Sequence, residues 1–157
     1  MKGCRMDRRQ FCFTVLGTTG LSLAGSAAAL GGPFGPKLKW QTDLKAARKV
    51  AAAEDKLLLI VFTAPWCTYC HKLIENTVSH RDLVPFIDRH FVPVQIDFDE
   101  NPRVAEVLEV DSLPCTVILS PQADLLALRK GYAEVASFRR TLQSALDRQA
   151  EIVQVRK

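Results

Sequence analysis

The stretch LLLIVFTAPWCTYCHKL, residues 57–73, decides how the chain is read. Leu57 to Phe62 is six apolar residues in a row, bounded by Lys56 and Thr63, and reads as a strand buried on both faces. Helix-like sequence follows from Thr68 to about Val78. Between them stands Cys67-Thr68-Tyr69-Cys70-His71. Cys-x-x-Cys after a buried strand is a redox motif, and Cys-x-x-Cys-His is also the attachment pattern of a c-type haem.

The two readings make different demands. A dithiol pair needs one reactive thiolate and a second thiol within reach. A Cys at a helix N-terminus meets unpaired N–H groups and the positive end of the dipole. Such placement lowers a thiol pKa from about 8.5 to as far as roughly 3.5–7.5. A second Cys one turn on can attack the mixed disulfide and release product. On this reading Cys67 is the nucleophile and Cys70 the resolving thiol. Thr68 and Tyr69 tune the pair, and Trp66 lies beside the sulfur as an apolar platform. A haem protein needs His71 as an axial ligand and usually a second ligand. The only methionines, Met1 and Met6, are far from the motif in sequence, so His80 or His90 would have to serve. A haem protein also has no use for the buried strand directly before the motif. A third reading is a fold that binds partners or metal without turnover.

Working outward, Asp43 is placed to cap a helix to about Glu54, with Leu44, Ala47, Val50 and Ala51 on one face. A short helix is expected from Asp82 to Arg89 and a strand from Phe91 to Phe98. A helix with Pro102 in its first turn runs to Leu108. Strands at Thr116–Leu119 and Leu125–Arg129 flank a turn, and a last helix runs from about Glu134 to Ala150. This order predicts an α/β fold, a mixed four- to five-stranded sheet with helices on both faces. Asp97, Asp99 and Glu100 read as a solvated turn, and Trp40 and Tyr132 as packing residues.

The 157 residues suffice for one domain with an appendage, and the +4 net charge is unevenly placed. Residues 1–29 carry Lys2, Arg5, Arg8 and Arg9 against Asp7, and no charge stands between Arg9 and Lys37. The remainder is nearly balanced and has no basic field for nucleic acid. Residues 1–29 read as a signal peptide, with small residues at Ala27-Ala28-Ala29. Asp7-Arg8-Arg9-Gln10-Phe11 resembles the twin-arginine export motif. Residues 30–39 are a flexible lead-in, 40–150 the folded domain and 151–157 a tail. The expected location is the periplasm or another exported compartment, with an uncleaved N-terminal anchor as the alternative. Beyond residue 29 three cysteines remain, Cys67, Cys70 and Cys115. A close pair plus a single thiol suits redox chemistry better than a disulfide scaffold.

Ala64-Pro65-Trp66-Cys67 after an apolar strand, Asn101-Pro102 opening a helix, Leu113-Pro114 and Gly131 together resemble the thioredoxin family over about residues 40 to 148. Trp40, a helix and an immediate apolar strand are most similar to the thioredoxin domain of DsbD-type interchange proteins. The resemblance implies a cis proline at Pro114 facing the Cys pair, with Leu113 pairing its backbone with substrate. It implies thiol–disulfide exchange without a cofactor beyond the Cys67–Cys70 disulfide. Its partners would be protein thiols or disulfides and an upstream redox donor, with the protein a monomer. Three positions depart from the family. Val61 stands where a buried Asp is common, Cys115 where Thr often follows the proline, and His71 where Lys or Arg is frequent. His71 is then a modifier of thiolate charge. Cys115 is a buried apolar residue or, if its sulfur lies near the pair across Pro114, a third thiol for a soft metal.

Overall fold

The computed structural model describes residues 37–156. The expected signal peptide and most of the lead-in lie outside the described residues.

Helix α1 (Leu44–Glu54) starts where Asp43 accepts a hydrogen bond from the Lys45 N–H and ends at Asp55 in the left-handed region, φ 52°. Ala47 and Ala51 are its buried positions. Strand β1 (Leu57–Thr63) is buried at every position, as its unbroken apolar run requires. Next come helix α2 (Thr68–Lys72) and a π-helical turn (Leu73–Val78), then α3 (Val84–His90) and β2 (Phe91–Asp97). Helix α4 (Pro102–Val107), β3 (Cys115–Leu119), β4 (Leu125–Lys130) and α5 (Val135–Val155) complete the order.

The four strands lie in the order β2-β1-β3-β4. Strand β1 is parallel to β2 and antiparallel to β3, and β3 is antiparallel to β4. Four strands lie within the expected four to five, and beyond β2 a single parallel bridge joins Gln41 to Val94. Alternation along β1 splits the core. Leu57, Leu59 and Val61 pack with Leu73, Ile87, Ile118, Phe138 and Leu142 beneath the π-helical turn, α3 and α5. Leu58, Ile60 and Phe62 pack with Ala47, Ala51, Ala105 and Val117 beneath α1 and α4. Both faces are covered, as the α/β reading expects.

Three boundaries differ from the sequence reading. The motif helix is not one α-helix to Val78. Its second half is a π-helical turn in which the Ser79 N–H reaches the Ile74 carbonyl, and the Thr77 hydroxyl donates to the Ala133 carbonyl (2.7 Å) beside it. Helix α3 begins at Val84 rather than Asp82, because Pro85 sets the first turn. The last helix does not end at Ala150, and residues 151–155 are helix rather than tail. Ile152 packs on the core, and Arg156 holds Asp124 with two hydrogen bonds of 2.8 and 3.1 Å, so the added turn has anchors.

Candidate active site

The site forms where β1 ends and α2 begins. Cys67 is the N-cap of α2, and its sulfur accepts from the Cys70 N–H (3.2 Å). The cap geometry follows from Cys-x-x-Cys itself, since a residue three on presents its N–H to the cap side chain. Cys67 and Cys70 form a disulfide with Cα atoms 5.3 Å apart. Cys67 keeps 6% of its surface exposed and Cys70 none. Solvent and a large partner therefore meet Cys67 first. Around the pair pack Ala64 and Leu113. Leu113-Pro114 is a cis peptide bond, and the Gly131 N–H donates to the Pro114 carbonyl (2.7 Å), tying the proline loop to the end of β4. Gly131 has φ 81°, a conformation that suits glycine.

Trp66 is 67% exposed and Tyr69 61%, an apolar rim beside the disulfide. Trp66 is more than a platform. Its indole N–H donates to an Asp99 carboxylate oxygen (2.7 Å). The Asp97 carboxylate accepts from the backbone N–H groups of Asp99 and Glu100, which shapes the turn that presents Asp99. The acidic turn was legible as a turn, but its role as an anchor for Trp66 was not, because the partners stand 33 residues apart. Lys72 lies 5.3 Å from the Tyr69 ring centroid, within cation–π range. Thr68 and His71 are exposed on the first turn.

A family model described as a thioredoxin-like domain matches residues 44–146. The chain belongs to the thioredoxin-like family. A thioredoxin H-type of Brassica oleracea is 31% identical over 90 residues, covering 55% of this chain and 63% of the plant protein. Thioredoxin-1 of Drosophila melanogaster is 35% identical over 72 residues, 46% of this chain and 64% of the insect protein. The chain thus spans less than two thirds of these curated relatives. Among solved structures, a DsbH oxidoreductase has a TM-score of 0.63 at 20% identity, covering 79% of this chain and 95% of that one. A thioredoxin from Thermus thermophilus has a TM-score of 0.64 at 22% identity, covering 71% and 88%. These two structures share the fold.

In this thioredoxin-like chain the five-residue ambiguity is resolved by its setting. The buried strand, the helix N-terminus and the cis proline belong to the family's architecture. His80 and His90 have local partners. His80 Nδ1 accepts from the Asp82 N–H (3.3 Å), and the His90 ring lies against Phe86. Trp40 and Tyr132 are partly buried against the core, as packing residues should be.

Cys115 is not a third thiol at the site. It is fully buried in the core layer under α1 and α4, with Phe62 and Val117, while the disulfide packs with Ala64 and Leu113. Among the described residues no group of three or more His, Cys, Asp or Glu is placed to hold a metal ion. Burial pushes the Cys115 thiol up to about 11; the Lys130 cation pulls it down and the Asp111 carboxylate adds to the rise. Lys130 itself is held by Asp111 (2.6 Å).

A thiol held above its usual 9.0 keeps its proton more tightly folded than unfolded. Its contribution to stability is full below pH 9 and is lost as pH rises toward 11. At pH 8 the native, reduced chain is expected to label with iodoacetamide at Cys67, the one of the three thiols with exposed surface, but not at Cys115. Cys115 should label only after denaturant is added, as peptide mass mapping would show. Rapid native labelling of Cys115 would contradict its placement.

Proposed function

We propose that this chain is an exported thiol–disulfide oxidoreductase that exchanges disulfides with protein substrates through Cys67 and Cys70. The observation that carries the reading is the Cys67–Cys70 disulfide at the N-terminus of α2, its outer sulfur beside the exposed rings of Trp66 and Tyr69. Cys67 is the nucleophile. It is the less buried sulfur, and the backbone N–H donated to it favours an anion. Cys70 is the resolving thiol. Leu113, Pro114, Trp66 and Tyr69 form the surface that an extended substrate segment meets. Thr68 and His71 flank the pair and modulate its charge.

The direction proposed is reduction. The DsbD-like order of Trp40, helix and apolar strand supports it, as do the thioredoxins among the relatives. An upstream donor returns the pair to the dithiol, and the Cys67–Cys70 pair is the only redox group required. Export is supported by the arginine pair Arg8-Arg9 and the uncharged, small-residue run after it. The working form is a monomer.

The test is catalysed reduction of insulin disulfides by the full chain, with dithiothreitol as donor. The proposal expects the chain to speed insulin precipitation well above the dithiothreitol background. A rate equal to background would reject it.

A further inference from the structure

Cys70 is fully buried, yet the reaction proposed above requires its sulfur to become an anion. Burial disfavours that charged form. The Phe62 carbonyl, 4.0 Å from the sulfur, accepts hydrogen bonds and offers none to a thiolate. Val61 brings no polar atom. His71 and Lys72 on the motif helix are exposed to solvent.

Four hydroxyl side chains are buried among the described residues: Thr63, Thr77, Thr116 and Ser120. Thr77 donates to Ala133, Thr63 accepts from the Gln95 amide, and Ser120 is bonded to Asp124. The Thr116 hydroxyl has no partner. Its place in the sheet gives that orphan a meaning. Thr116 is the register partner of Val61 on one side and of Arg129 on the other. Paired residues project to the same face, so the Thr116 side chain stands beside Val61, in the layer covered by the motif helix and α5.

Arg129 completes the row. Its two terminal nitrogens donate to Thr141 and Ser137 of α5 (both 3.0 Å), which fixes the guanidinium, while its buried Nε has no partner. An unpartnered hydroxyl and an unpartnered N–H on directly paired residues are a pair of costs that native cores rarely keep without use. No carboxylate stands in this row, which reads Gln95, Val61, Thr116, Arg129.

We propose that Thr116, oriented by Arg129, is the hydrogen-bond donor that supports the Cys70 thiolate while it resolves the mixed disulfide. The bond forms directly or through one bridging water. The inference rests on the dithiol reading above. In the step, the Cys70 thiol gives its proton to solvent. The Thr116 O–H donates to the sulfur anion, and the Arg129 Nε–H donates to Thr116 Oγ1. The Cys70 electron pair attacks Cys67 Sγ, the bond between Cys67 and the substrate sulfur breaks, and the substrate leaves as a thiolate. The Cys67–Cys70 bond forms. The dithiol loses two electrons to the substrate disulfide, and neither Thr116 nor Arg129 changes protonation. The step gives Thr116 the role of donor to the reacting sulfur and makes Arg129 a positioning residue.

The test uses the full chain with a glutathione mixed disulfide preformed on Cys67, and follows glutathione release by mass. Thr116→Val removes the hydroxyl and keeps the shape. It is expected to shift the Cys70 titration, read by alkylation in a Cys67→Ala background, about tenfold in proton affinity toward the neutral thiol. Release at pH 7 should slow about threefold, since the greater nucleophilicity of a more basic thiolate offsets part of its scarcity. Thr116→Ser should restore both values, and Arg129→Gln should move both in the same direction as Thr116→Val. Thr63→Val should leave the titration in place. A folded Thr116→Val protein that titrates and releases glutathione like the wild type overturns the inference, as does a shift seen with Thr63→Val instead. A wild-type chain that never releases glutathione overturns the dithiol reading itself, a separate result.

Discussion

Replacing Cys67 by Ser is expected to lower catalysed insulin reduction by about three orders of magnitude or more, to the uncatalysed background. A serine hydroxyl is essentially un-ionised at neutral pH and is no nucleophile toward a disulfide. The α2 N-terminus would still donate its N–H groups, so the helix should persist and the loss should be chemical. Cys70→Ser should behave differently. Cys67 still attacks, but nothing one turn away can resolve the adduct. The variant should accumulate a covalent complex with a protein disulfide substrate, released by dithiothreitol and visible on a non-reducing gel. The exposure difference between the two sulfurs predicts this asymmetry. Trapping by Cys67→Ser and not by Cys70→Ser would reverse the assignment of roles, and full activity of Cys67→Ser would remove the site altogether.

The second large effect is on stability. Phe138 is fully buried on α5 and packs with Leu57, Leu59 and Val61 of β1 through the layer under that helix. Phe138→Ala is expected to destabilise the chain by about 3–5 kcal/mol, the transfer cost of the ring plus the cavity it leaves. Domains of this kind hold about 5–15 kcal/mol in total, so the loss is a large share. Guanidinium unfolding monitored by far-UV circular dichroism would show it as a lower midpoint with an unchanged slope. A loss under about 1 kcal/mol would mean that α5 does not close that layer. Because Phe138 stands apart from the disulfide cluster, the variant should still exchange disulfides while folded.

Much of this was legible because local signals agreed. Six consecutive apolar residues fixed β1 as central, and the helix start after Cys67 fixed the motif's place. Asp43, Pro102 and the alternation of β2 set other elements to within a residue or two. What the sequence could not show was contact between distant segments. Nothing in the spacing of Trp66 and Asp99 announces their hydrogen bond. The last helix outruns its apolar stripe because Arg156 finds Asp124 on the β3–β4 turn, a tertiary anchor. Cys115 follows Pro114 directly, and that adjacency suggested a third thiol at the site. Alternation along β3 instead sends its side chain into the opposite core layer, where Phe62 packs, while Thr116 turns toward Val61. The π-helical turn at Leu73–Val78 has no periodicity signal of its own.

A working redox couple at Cys67–Cys70 and a structural staple there differ in one measurable quantity. The most direct measurement is the reduction potential of that bond, from equilibration of the full chain with glutathione buffers and alkylation mapped at Cys67 and Cys70. Both thiols are expected to appear together as one two-electron couple, with a midpoint near −270 mV, about that of a reductant of the thioredoxin kind. A midpoint near about −120 mV would contradict the direction proposed and make the protein an oxidant. A disulfide that stays closed below about −300 mV would be structural, and would exclude a working couple at Cys67–Cys70.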